Sequence, residues 1–133
     1  MIRIVCIGKI KNEWKNANNE LFKRINSFTK LEIIELKEEK AKELEKYIKG
    51  YCVVLDEKGT QLTSKEFSNL IKEKNKITFF IGGKAGFEEK FLQKADFVLS
   101  LSKMTFSHQL ARIILLEQIY RAFCIIHNLP YSK

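Results

Sequence analysis

The stretch Leu99-Ser-Leu-Ser-Lys-Met-Thr-Phe-Ser-His-Gln-Leu-Ala-Arg112 carries much of the reactive functionality of this chain. Between Leu101 and Phe106, polar hydroxyls alternate with apolar groups. A run of that kind between a strand and a helix can wrap a flat ring, apolar walls holding its faces and backbone groups reading its edge. Ser102, Thr105 and Ser107 can equally serve as helix caps and turn formers, and Met104 and Phe106 as core. His108 falls in the first turn of the helix that follows. The helix dipole disfavours a cation there, which leaves the imidazole an acceptor nitrogen. Arg112 lies one turn later on the same face. Together the two can present a proton acceptor and a clamp for a phosphate or an oxyanion. Spacing alone leaves a plainer alternative, a half-buried histidine beside a surface arginine.

A second loop, Ile81-Gly-Gly-Lys-Ala-Gly86, follows another apolar segment. Glycine has no Cβ and tolerates positive φ, so such a loop lets backbone pass close to a ligand. Its spacing matches neither the Walker pattern nor Gly-x-Gly-x-x-Gly, and tight-turn glycines after a strand are the alternative. Further along, Glu117 and Arg121 stand in the favourable order for an i,i+4 ion pair.

The elements that must position these groups alternate strand and helix. Ile2–Ile7 reads as a strand closed by Gly8. A helix from about Asn12 repeats Trp14, Ala17, Leu21, Ile25 and Phe28 on one face. Leu31–Leu36 alternates apolar and acidic residues, as expected for a half-exposed strand or one near a sheet edge. Lys37–Lys49 reads as a charged helix with the stripe Ala41, Leu44 and Ile48, stopped by Gly50. Tyr51–Leu55 is a strand ending in the turn Asp56-Glu-Lys-Gly59. Thr63-Ser-Lys-Glu66 is a capping box that opens a helix through Lys74. Ile77–Ile81 is a buried strand, followed by the glycine loop and a helix over Glu88–Lys94. Asp96–Leu101 is the last strand, and Ser107 caps a closing helix to about His127, with Pro130 just beyond. That helix is apolar on several sides and calls for burial around much of its circumference, including against a second subunit. Strands separated by helices predict one α/β domain over residues 1–133, a parallel-sheet sandwich with helices on both faces. In such sheets, loops at the carboxyl ends of strands build the ligand crevice.

With 45% hydrophobic and 30% charged residues, the 133-residue chain has the composition of a globular protein. No stretch approaches the ~20 apolar residues of a membrane span. The amino terminus reads as a strand and not as a signal peptide, which predicts a cytoplasmic protein. The three cysteines, Cys6, Cys52 and Cys124, are scattered among apolar neighbours and read as reduced core residues. No Cys-x-x-Cys or His-x-x-x-His spacing supports a metal site. The formal charge of +8 favours polyanions as partners, although solubility would account for it too.

The segments Ser100–Arg112 and Glu117–Phe123 resemble the signature of the ribosomal RNA large subunit methyltransferase H family. The glycine loop, the strand Val53-Val-Leu-Asp56 and the opening Cys6-Ile-Gly-Lys-Ile-Lys11 fit it as well. The resemblance is near full-length. It implies a SPOUT-class α/β fold with a carboxyl-terminal trefoil knot and a homodimer in which the neighbouring subunit completes the cofactor site. It also implies S-adenosylmethionine bound at Leu55, Gly82, Leu101, Ser102, Lys103, Met104, Thr105 and Phe106. The implied reaction is methylation of N3 of a pseudouridine in the helix 69 loop of 23S rRNA, within the assembled ribosome. His108 and Arg112 are then the candidate catalytic residues, and Arg121 and Tyr131 the candidates for RNA contact. No metal and no membrane are implied. One departure stands out: the family usually ends Tyr-His-Lys, whereas this chain ends Tyr131-Ser-Lys133, so Ser132 cannot supply a histidine's proton chemistry. The competing readings are a non-enzymatic RNA- or ribosome-binding module on the same scaffold, and a flavodoxin-like small-ligand protein.

Overall fold

The computed structural model describes residues 1–131, so Ser132 lies outside the described residues. Five parallel strands form one sheet in the order β2-β1-β4-β3-β5. They are β1 (Ile2–Ile7), β2 (Leu31–Leu36), β3 (Tyr51–Gln61), β4 (Ile77–Ile81) and β5 (Phe97–Ser100). The helices between them are α1 (Asn12–Asn26), α2 (Ala41–Glu45), α3 (Ser64–Glu73), α4 (Glu89–Leu92) and α5 (His108–Ile126).

Burial explains this order. All five residues of β4, Ile77-Thr-Phe-Phe-Ile81, are buried, as the middle strand of a sheet covered on both faces requires. Successive side chains point to opposite faces, so neighbours such as Phe79 and Phe80 join different cores. Ile4, Val53 and Phe79 pack under α1, α3 and α5. Val5, Val54 and Phe80 pack with Leu44 of α2 and Phe91 of α4. Phe79 and Phe80 are both fully buried, and truncating either to alanine would cost about 3–5 kcal/mol. The acidic alternation of β2 places it at the sheet edge, as its pattern predicts.

Thr63 caps α3 as expected, its hydroxyl accepting from the Glu66 N–H at 3.0 Å while Glu66 accepts from the Thr63 N–H at 2.8 Å. Ser107 caps α5 by accepting from the Leu110 N–H. Four expectations need correction. The helix expected over Lys37–Lys49 contracts to the five residues of α2, because only Leu44 in that charged segment is buried. The helix expected over Glu88–Lys94 contracts to Glu89–Leu92. The turn expected at Asp56–Gly59 does not end β3. The strand bulges there and resumes, so that Leu55 and Thr60 both pair with Leu99. Gly59 permits this, since a Cβ would collide with the Val98 carbonyl. On α1, Ala17 is exposed and the buried position is Asn18, for a reason that lies in α5.

Candidate active site

A cleft of about 510 Å³ opens at the carboxyl ends of β3, β4 and β5. Leu55 enters it from β3, just before the bulge. Gly82, Gly83 and Gly86 enter it from the loop after β4, and Leu101–Ser102 and Met104–Phe106 from the loop after β5. The glycines are required for close packing. A Cβ on Gly82 would lie 3.1 Å from the Gly86 Cα, one on Gly83 would press on Ile7 at 3.3 Å, and Gly86 itself has φ +71°. Leu99, Phe87 and Ile81 extend the apolar wall.

The loop after β5 is held by its own hydroxyls. Ser100 Oγ donates to the Ser102 carbonyl at 2.9 Å, and Ser102 Oγ accepts from the Met104 N–H at 3.0 Å. The Thr105 hydroxyl donates to the Glu57 carboxylate, joining this loop to the β3 bulge across the cleft mouth. Met104 stands 75% exposed beside the opening. Lys103 is exposed and does not line the cleft.

His108 lines the cleft at the start of α5, half-buried. Arg112, expected one turn later as a phosphate or oxyanion clamp or as a surface residue, is buried instead. Its Nε donates to Asn18 Oδ1 at 2.9 Å and its Nη1 to Glu35 Oε2 at 2.7 Å. This is why Asn18 is the buried residue of α1. Burial works to raise the Glu35 carboxyl. The hydrogen bonds from Arg112 and the Ile10 N–H, with the charges of Arg112 and Lys9, outweigh it and hold the group below its ordinary range. Beside them, burial pushes the Cys6 thiol up to about 11 despite the opposing Arg112 charge. All three cysteines are free and buried. Arg121 and Tyr131 do not line the cleft. Both bind Glu117 Oε2, at 2.8 and 2.9 Å, and the Arg121 guanidinium sits 4.5 Å over the Tyr131 ring. The i,i+4 pair read from spacing is therefore present.

The family model described as Predicted SPOUT methyltransferase matches residues 1–132. The chain is 46% identical to the ribosomal RNA large subunit methyltransferase H of Campylobacter jejuni (serotype O:23/36, strain 81-176), covering 99% of each chain. It is 42% identical to that of Carboxydothermus hydrogenoformans, again over 99% of each. It belongs to the ribosomal RNA large subunit methyltransferase H family of SPOUT methyltransferases. The backbone also superposes on the tRNA (m1G37) methyltransferase of Aquifex aeolicus with a TM-score of 0.59 at 15% identity, covering 99% of this chain and 76% of that one. At that identity the likeness concerns the fold.

In this SPOUT methyltransferase the cleft also draws on residues that sequence reasoning missed. Asp56, Glu57 and Lys58 form a charged rim because the bulge turns them back over the cleft. Ala111, one turn beyond His108 on α5, supplies the wall that a larger residue would fill. Gln109 and Asn18 are buried polar residues whose partners lie on other elements. A polar residue interrupting an apolar helical stripe was the available signal for each. Among the described residues no group of three or more His, Cys, Asp or Glu could hold a metal, and no helix is long and apolar enough to cross a membrane.

Proposed function

We propose that this protein transfers a methyl group from S-adenosylmethionine to N3 of a pseudouridine in the helix 69 loop of 23S rRNA, acting on the assembled ribosome in the cytoplasm. The convergence of Leu55, Gly82, Leu101, Ser102, Met104, Thr105 and Phe106 on one cleft carries this reading. These residues come from three separate strand ends, and family resemblance implies a cofactor contact for each. The relatives, ribosomal RNA large subunit methyltransferases H, support an rRNA substrate.

The cleft fits a nucleoside-bearing methyl donor. Leu55, Phe87, Leu99 and Leu101 offer apolar faces for a flat base, the glycine loop gives close backbone approach, and the rim is polar. When bound, S-adenosylmethionine supplies a methyl that is already electrophilic, so the protein's work is alignment and removal of a proton. His108, at the cleft wall, takes the N3 proton directly or through one water. Arg112 acts as a positioning residue. Its bonds to Glu35 and Asn18 fix the first turns of α5 and hence the imidazole. Arg121 and Tyr131, held together on Glu117, offer a cation and a ring for RNA contact. A second copy of the chain closes the cleft, beside the exposed Met104, and the chain carries the trefoil knot of its class.

Two measurements test this. Mass spectrometry of 23S rRNA from cells with and without the protein should show one pseudouridine methyl lost in its absence. Calorimetry should show S-adenosylmethionine binding that Gly82→Arg abolishes. A folded protein that binds no donor would instead be an RNA- or ribosome-binding module on the same scaffold.

A further inference from the structure

Four contacts lock the loop Gly8-Lys9-Ile10-Lys11 in place, and they leave its lysines unoccupied. The Gly8 N–H donates to the Leu36 carbonyl at 2.7 Å. The Ile10 N–H donates to Glu35 Oε2 at 3.0 Å. Buried Gln109 uses both ends of its amide: Nε2 donates to the Lys9 carbonyl at 2.8 Å, and Oε1 accepts from the Lys11 N–H at 2.9 Å. Gln109 is the neighbour of His108, so the loop is referenced to the cleft histidine itself. Gly8, at φ +103°, passes so close that a Cβ there would lie 3.6 Å from His108 Nε2.

With these backbone groups satisfied, the loop has its side chains left for binding. Lys9 and Lys11 are exposed, and among the described residues neither takes part in an ion pair. Glu35, whose carboxyl feels the Lys9 charge, has its hydrogen bonds taken by Arg112 and the Ile10 N–H. Lysine ammonium groups are compact point charges suited to phosphate oxygens. A loop already ordered loses little conformational entropy on binding.

We infer that Gly8–Lys11 is a preset lip of the cleft on which Lys9 and Lys11 hold backbone phosphates of the RNA strand that presents its base to His108. This rests on the RNA-methylation reading above.

The test compares wild type with Lys9→Gln/Lys11→Gln and with a charge-matched control, Lys30→Gln/Lys49→Gln, at the opposite end of the sheet. The probe is ribosomes from cells lacking the protein, with tritiated S-adenosylmethionine, at several salt concentrations. The lip variant should raise KM for ribosomes. It should also flatten the dependence of log kcat/KM on log salt by about 1.5, the effect of two lost phosphate contacts. Its kcat and its affinity for S-adenosylmethionine should stay within about twofold of wild type, since neither lysine lines the cleft. The control should keep the wild-type slope. Equal slopes in all three proteins, or a loss confined to kcat or donor affinity, would overturn the lip. If the wild type transfers no methyl, the methylation reading falls. Filter binding to protein-free 23S rRNA across the same salts then decides the lip separately, a flatter slope for the lip variant supporting it and matched slopes rejecting it.

Discussion

Arg112 Nη1 lies 2.7 Å from Glu35 Oε2, joining the helix that begins at His108 to the edge strand of the sheet. The arginine is buried and the glutamate is partly open to solvent. Removing the arginine takes one donor each from Asn18 and Glu35, although Glu35 keeps the Ile10 N–H; removing the glutamate's charge leaves the buried guanidinium its bond to Asn18 but no counter-charge.

Arg112→Ala should therefore lower unfolding free energy by about 1–3 kcal/mol in urea titration, because it takes a donor from Asn18 while the charge left on Glu35 is partly solvated. Donor binding by the fraction that remains folded should stay within a few-fold of wild type. A variant with an unchanged urea midpoint but no methyl transfer at saturating donor would instead place Arg112 in the chemistry.

The same pair sets an acid limit. Glu35 titrates below its ordinary value of 4.5 in the folded chain, so its contribution is fully present above that value and fades as pH falls through the folded one. Wild-type stability should drop as pH is lowered below about 4.5, and Glu35→Gln should lack that portion of the slope. Denaturation midpoints measured between neutral pH and acid would show it. Parallel curves for the two proteins would contradict the assignment.

Gly82→Ala isolates the cradle. A methyl 3.1 Å from the Gly86 Cα forces the two limbs of the glycine loop apart while touching little of the core. Donor affinity should weaken about tenfold by calorimetry, an effect of about 1.4 kcal/mol, with a small change in melting temperature. Unchanged affinity would separate the loop from the donor.

Cys6, Cys52 and Cys124 should resist maleimide labelling in the native protein at pH 8 and react fully in denaturant. All are buried, and burial holds the Cys6 and Cys52 thiols in their protonated, unreactive form. Rapid native labelling of Cys6 would mean that the Arg112 cluster opens easily.

Elements whose signals are local were legible from the chain alone. The capping box at Thr63, the helix start at Ser107 and the unbroken apolar run of β4 each declare themselves within a few residues. Periodicity failed where a distant partner decided the outcome. On α1 it selected Ala17, but Asn18 is drawn inward by Arg112, 94 residues away. That Arg112 is buried was not legible, because spacing registers its own helix and not Glu35, 77 residues distant. The bulge after Leu55 looked like a strand end, because Asp56-Glu-Lys-Gly59 is good turn chemistry whether or not the chain resumes pairing afterwards. Seven of the eight cofactor positions implied by resemblance share one cleft, and Lys103, the eighth, does not line it. That grouping depends on strand order, which no local pattern encodes.

The amide of Gln109 grips residues that left the ribosome about a hundred positions earlier, with separations of 98 and 100. During synthesis the amino-terminal segment emerges without its fastener, and its lysines ride on an unshaped tether. The loop is fastened only when α5 docks. The order of the Gly8–Lys11 loop is thus a late product of folding, fixed only once α5 has been made and packed.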